Sequence, residues 1–202
     1  MGFYNSVFAQ FYDPFMKGFE KRIRENRLEL LKNVEGDLLE IGSGTGINFG
    51  FYKPGINLTA IEPSQAMIDV STAKNCNCNK LRLLKTSITS PHIFSELKEE
   101  SFDYILSTLV LCTIDRPDIA IKNYRKLLKP KGKLLILEHI HSTKPLHKKL
   151  QNLANPLWKA FSEGCNLNRN TDKLLMRNGF VPVHSEYFVK TLRFVQGVYV
   201  IG

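Results

Sequence analysis

The chain has 202 residues, 43% of them hydrophobic and 23% charged, with a formal net charge of +9. That is apolar material for one core-forming domain and too little length for two. No apolar run nears the ~18 residues that span a bilayer, and no basic segment leads into an apolar stretch, so a reducing cytoplasm is the expected location.

In chain order, Phe19, Ile23 and Leu30 share helical spacing, which predicts an amphipathic helix over 15–33. A first strand at 37–41 ends in Gly42-Ser43-Gly44-Thr45-Gly46, and a second at 58–61 ends at Glu62-Pro63. Ser64 then caps a helix reaching about residue 74. A third strand covers 81–85, and a fourth, apolar almost throughout, covers 102–111. Pro117 opens a helix that Lys129-Pro130-Lys131-Gly132 stops. A fifth strand follows at 133–138, then a helix at 146–161 with Pro156 as a boundary or kink. Thr171 caps a short helix ending at Gly179, and strands at 181–189 and 192–201 close the chain as an antiparallel pair. Strands and helices that alternate in this way predict an α/β domain, doubly wound and Rossmann-like. Its seven strands form a mostly parallel sheet with a final antiparallel strand and helices on both faces.

The glycine turn and the acid after the second strand carry the main chemical signal. Without Cβ atoms, Gly42 and Gly44 let the backbone turn sharply and a ligand come close. Glu62 lies 20 residues after Gly42, where a carboxylate meets the vicinal hydroxyls of an adenosine ribose. A dinucleotide site needs GxGxxG so that a helix N-terminus meets the pyrophosphate. Here the spacing is GxGxG, with Ile47 where the third glycine would fall. That disfavours a nicotinamide cofactor and suits S-adenosylmethionine, which has no phosphate.

The run from Glu40 to Gly46 resembles the first motif of class I methyltransferases, and the order of strands resembles theirs over nearly the whole chain. The resemblance implies that S-adenosylmethionine is held by Tyr12, Glu40, Gly42, Ser43, Gly44, Thr45, Gly46, Asn48, Glu62, Pro63, Ser64, Met67, Ser87, Ile88, Thr108 and Leu109. It also divides the chain into a helical cover over 1–35, a cofactor-binding core over 36–145, and a substrate loop, helix and strand pair over 146–202. The family often has an acid after the third strand, near the adenine amino group. Ser87 stands roughly there, so Ser87, the Ile88 backbone and apolar packing are left to hold the adenine.

A narrower resemblance is to the methyltransferase-like thiol S-methyltransferases. It rests on Ser107-Thr108-Leu109-Val110-Leu111-Cys112, on Asn155-Pro156-Leu157-Trp158 and on Gly164-Cys165-Asn166-Leu167-Asn168-Arg169. It implies a small-molecule acceptor, with a thiol first and a lipid amine second; a protein that binds the cofactor without catalysis is the further alternative. Animal members carry a hydrophobic N-terminal anchor, which is not seen here, so their membrane location is not carried over.

Methyl transfer from a sulfonium is an in-line displacement, so alignment and exclusion of water matter most. His139 and His141, at the end of the fifth strand, are candidate bases, with His141 equally suited to holding a loop. Thr108, at the mouth of the fourth strand, is expected to face the methyl group or the substrate. Trp158, Asn166 and Arg169 are expected at the substrate, although Trp158 could equally pack the core and Arg169 pair with a carboxylate. Cys112 needs no role beyond that of a small buried hydrophobe.

Cys76 and Cys78 form a CxC pair without a second pair at zinc spacing, so no metal is expected. A chain of this size also needs no disulfide. The basic charge falls mainly in 17–27, 122–133 and 144–159. It reads as solvated helix faces or as an attraction for anionic surfaces. Nucleic acid is disfavoured because no zinc finger, RNP-like strand or arginine-rich tract is present. Phe3, Tyr4, Phe8, Phe11, Tyr12 and Phe15 make an aromatic start that could be a lid or a peripheral membrane contact. Residues 1–6 also fit the short N-myristoylation pattern.

Overall fold

Side chains that alternate along β1 (Gly36–Ile41) divide the interior into two layers. Leu39 and Ile41 enter one apolar cluster with Ile105, Leu134, Ile136 and Tyr124, while Leu38 enters the other with Leu58, Leu106, Leu135 and Phe194. The computed structural model describes residues 2–162 and 164–202. The side chains of residues 1–11, 15 and 16 fall outside that description. So do the acylation pattern over 1–6 and the aromatic side chains Phe3, Tyr4, Phe8, Phe11 and Phe15.

The remaining strands are β2 (Ile56–Ile61), β3 (Lys80–Leu84), β4 (Phe102–Thr108), β5 (Leu128–Ile140), β6 (Phe180–Val189) and β7 (Arg193–Ile201). They form one sheet in the order β3-β2-β1-β4-β5-β7-β6. The first five pair in parallel, and β7 runs antiparallel to both β5 and β6. The helices are α1 (Gly2–Leu31), α2 (Gln65–Thr72), α3 (Ile93–Glu96), α4 (Pro117–Leu127), α5 (Pro145–Phe161) and α6 (Thr171–Arg177). α1 covers one face through Ile23, Leu30 and Leu31, and α4 covers the other through Ala120, Ile121, Tyr124 and Leu127. Strand order reverses between β1 and β4, and open α/β sheets leave a ligand crevice at the carboxyl ends of such strands.

Several boundaries differ from the sequence expectation. α1 begins at Gly2 rather than residue 15 and contains Pro14. β4 ends at Thr108, not 111, because Leu109 has φ +61° and the Glu138 carboxylate takes the N–H groups of Val110 and Leu111 away from the ladder. β5 starts at Leu128, which pairs with Phe102; a register shift between Phe102 and Tyr104 absorbs the Lys129–Gly132 stretch. Pro156 lies inside α5, and the residue before α6 is Asn170, so Thr171 is helical rather than a cap. Cys76 and Cys78 are joined in a disulfide, which a chain of this size does not need in order to fold; their Cα atoms are 5.3 Å apart, within the usual reach of such a bridge.

Candidate active site

Gly42, directly after β1, has φ +59°, and a Cβ there would meet both Val110 methyls at 2.9 Å. Gly46 has φ +75°, with the Phe49 ring 2.8 Å from where its Cβ would sit. Any side chain at either place brings backbone strain and a clash. The Glu62 carboxylate sits beside this turn and is almost fully buried. Its Oε2 accepts from the Gly44 N–H at 3.0 Å, and its Oε1 from the Ser64 N–H at 2.9 Å. Ser64 in turn caps α2, its hydroxyl accepting from Met67 N–H.

A cavity of about 270 Å³ opens here. Gly42, Gly44, Glu62, Pro63, Ser64, Met67, Ser87, Ile88, Leu109 and Tyr12 line it. The Ser87 hydroxyl is engaged with Thr89 at 3.0 Å. Glu40, Ser43, Thr45, Gly46, Asn48 and Thr108 do not line it: Ser43, Thr45 and Gly46 belong to the turn, and Glu40, Asn48 and Thr108 are hydrogen-bonded to one another beside it. Thr45 donates to Asp13 at 2.6 Å, and Asp13 also pairs with Lys74, so the cover helix is tied to the glycine turn.

A second tie was not foreseen. Buried Arg27 donates to both Glu20 oxygens at 2.9 Å, to Asn48 Oδ1 at 2.9 Å and to Thr108 Oγ1 at 2.8 Å. Asn48 donates onward to Glu40 at 2.7 Å and to Thr108 at 3.1 Å. The Thr108 hydroxyl thus belongs to this network and faces neither cavity, contrary to expectation. Burial pushes the Glu40 carboxyl up to about 7, with the Asn48 donor pulling the other way. The spacing of Ile23, Arg27 and Leu31 already placed Arg27 on the buried stripe of α1.

A larger apolar cavity of about 310 Å³ adjoins the first. Tyr12, Leu109, Thr113 and Ser162 line both. The second is completed chiefly by Phe19, Trp158, Phe161, Leu192, Cys112, Cys165 and His139. Trp158 thus faces a cavity rather than packing wholly in the core. His139 is buried with Nε2 at 2.9 Å from Cys165 Sγ, and Cys165 Sγ lies 3.7 Å from Cys112 Sγ. The Cys112 thiol and the His139 ring hold the Cys165 thiol below its ordinary range, while the Cys165 contact and burial raise Cys112. Burial also raises the Tyr12 hydroxyl.

Arg169 and Asn166 do not reach into the cavity. Arg169 donates to the carbonyl of Leu111 and, at 2.7 Å, to that of Ile114. Asn166 donates from its side chain to the Cys112 carbonyl at 3.0 Å, and from its backbone to the same oxygen at 2.9 Å. Both stitch the segment after β4 to the loop before α6. The His141 backbone N–H holds the same loop by donating to Arg169 O at 3.0 Å. Glu138 is a structural partner, accepting at 2.8 Å from Val110 and 2.9 Å from Leu111.

Comparison with known proteins agrees with this architecture. Residues 39–136 match a family described as a methyltransferase domain. Thiol S-methyltransferase TMT1B of Rattus norvegicus is 30% identical over 85% of this chain and 72% of its own length. Thiol S-methyltransferase TMT1A of Homo sapiens is 28% identical over 86% of this chain and 75% of its own. Among solved structures, a SAM-dependent methyltransferase of Thermotoga maritima superposes with a TM-score of 0.66 at 21% identity, covering 95% of this chain and 97% of the other.

Proposed function

The chain is an S-adenosylmethionine-dependent methyltransferase of the family that includes the thiol S-methyltransferases, and from that premise we propose that it methylates an apolar thiol. The observation that carries this reading is the wall shared by the two cavities at Tyr12, Leu109, Thr113 and Ser162. Glu62 would hold the ribose hydroxyls of S-adenosylmethionine in the polar cleft, and Ile88 and Met67 would hold its adenine. The cofactor would supply an electrophilic methyl group, and the residues of the shared wall would set it against the acceptor. The acceptor lies against Trp158, Phe161 and Leu192, where little water competes with it. The acceptor sulfur attacks the methyl carbon in line, and the bond to the sulfonium breaks. A thiol must lose its proton for this, and His139, Cys112 and Cys165 are the groups facing that space.

The test is a screen of alkyl thiols, lipid amines and RNA, read by release of S-adenosylhomocysteine. Turnover with apolar thiols is expected. Turnover confined to amines or RNA would overturn the acceptor class, and a single-turnover assay with bound cofactor and no methyl loss for any acceptor would leave a binding protein.

A second reading concerns where the acceptor comes from. Leu146, Leu150, Leu153, Leu157 and Phe161 form one stripe of α5, with Leu153 79% and Leu157 81% exposed, among Lys144, Lys148, Lys149 and Lys159. An apolar face edged by lysines suits an anionic membrane surface, and Trp158 and Phe161 of that helix line the acceptor cavity. Peripheral delivery of a membrane-dissolved thiol or lipid amine follows from this. No described helix is long and apolar enough to cross a membrane. The paired substitution Leu153→Glu and Leu157→Glu is expected to abolish flotation with phosphatidylserine vesicles and to change stability by less than about 0.5 kcal/mol. Retained flotation would remove the membrane from the account.

A further inference from the structure

Cys112, His139 and Cys165 come from three separate parts of the chain, yet their Sγ and Nε2 atoms all lie within 4.8 Å of one another. We propose that these three side chains form a zinc site whose fourth position opens into the apolar cavity and takes the acceptor thiol. The proposal rests on the thiol-methylating reading above and supplies the step left open there.

One of the three separations matches the ion, and the other two, His139–Cys165 and Cys112–His139 (the latter within 4.8 Å), must adjust toward about 3.6 Å for a sulfur and an imidazole nitrogen on one zinc. Tetrahedral zinc with Zn–S bonds near 2.3 Å places two sulfurs about 3.8 Å apart, and the Cys112 and Cys165 sulfurs are 3.7 Å apart. A sulfur and an imidazole nitrogen on the same ion stand about 3.6 Å apart. His139 and Cys165, at 2.9 Å, therefore part by some 0.7 Å to admit the ion. That is the scale of a small ring rotation. Two thiolates and an imidazole are the donors that borderline-soft zinc prefers. Three protein ligands with one vertex left open is the pattern of a reactive rather than a structural zinc.

The surroundings hold the two thiol-bearing segments in place. Asn166 binds the Cys112 carbonyl from the loop that carries Cys165, so the two thiols cannot drift apart independently. Arg169 and Glu138 fix the turn that leads into Cys112. All three donors line the cavity that also holds Trp158. Rigid support of this kind preorganises a ligand set.

The chemistry balances without a redox change. The acceptor thiol binds zinc as the thiolate, and its proton passes to solvent. The thiolate lone pair attacks the methyl carbon, so a carbon–sulfur bond forms. The bond to the sulfonium breaks, and its electron pair stays on the departing S-adenosylhomocysteine. The neutral thioether is a weaker ligand than the thiolate and leaves the ion. The ion supplies what a general base would otherwise supply, a thiolate at neutral pH.

The test uses the full chain, purified under a phosphine reductant from zinc-supplemented cells. About one equivalent of zinc by mass spectrometry is expected, falling to under about a tenth in Cys112→Ser, Cys165→Ser and His139→Ala. A Cys76→Ser/Cys78→Ser control keeps its zinc. Cobalt replacing zinc is expected to show tetrahedral visible bands and a thiolate charge-transfer band. Benzyl mercaptan, a simple apolar thiol, is expected to increase that band as a third sulfur joins. This cobalt measurement on the unaltered protein stands even if a cysteine variant does not fold. Folded, reduced protein that methylates benzyl mercaptan after chelation has removed all metal overturns the zinc proposal and leaves the thiol reading intact. Cobalt bands that benzyl mercaptan does not alter overturn ligation of the acceptor. Full metal loading with no methylation of any thiol overturns the acceptor reading instead.

Discussion

The two cavities meet at one wall but are built by different means. The cofactor side is made from backbone: a glycine turn, two N–H groups on Glu62 and a helix start, all within 42–67. The proposed acceptor side is made from side chains that converge from the segment after β4, from β5, α5 and the loop before α6. The difference teaches that one cavity is shaped by local chain geometry, while the other is shaped by segments that only the fold brings together.

The largest expected effect bears on the support beneath the cofactor side. Burial raises the Glu40 carboxyl from about 4.5 to about 7, so the folded state holds that proton more tightly than the unfolded one. Its contribution to stability is therefore present below pH 4.5 and is lost as pH rises through 7. The scale is about 3 kcal/mol. Glu40→Gln is expected to lose this slope in urea denaturation at pH 5 and pH 8, and equal slopes in both proteins would show that the network around Arg27 keeps the carboxylate ionised.

Next, Glu62→Ala removes the acceptor of two backbone N–H groups and the proposed ribose contact. Calorimetry is expected to show S-adenosylmethionine affinity reduced about ten- to a hundredfold, or some 1.5–3 kcal/mol. Cobalt binding at the thiol cluster stays unchanged if the two sides are separately built.

Arg169→Ala sharpens the comparison from the other side. It strips the carbonyls of Leu111 and Ile114 of a charged donor, at a cost of about 1–3 kcal/mol. The expected outcome is a higher KM for the thiol with the cofactor affinity preserved, and equal losses in both would mean that the turn after β4 serves them jointly. The smallest effect is expected at the far end of the strands. Lys129 pairs with Asp37 and Asp103 there at 3.1 and 2.8 Å in a half-exposed position. Lys129→Ala should cost under about 1 kcal/mol and leave both substrates unaffected, as thermal unfolding and steady-state kinetics can show.

Legibility in the sequence follows the same division. Gly42, Gly44 and Glu62 were readable because turn chemistry and strand ends are local. Thr108 was placed at the right strand end, but its rotamer answers to Arg27 and Asn48, which are far from it in the chain. Asn166 and Arg169 looked like substrate contacts because loop polarity alone does not tell whether a side chain turns to a ligand or to a neighbouring carbonyl.

By itself, the order of apolar runs and turn residues determined the α/β class, the parallel sheet with its antiparallel finish and the glycine turn, because periodicity and turn preference act over a few residues. Only the tertiary structure decided that Cys112, His139 and Cys165 meet. No spacing encodes that meeting: residues 26 and 53 positions apart become neighbours only when sheet order and loop packing close the distance.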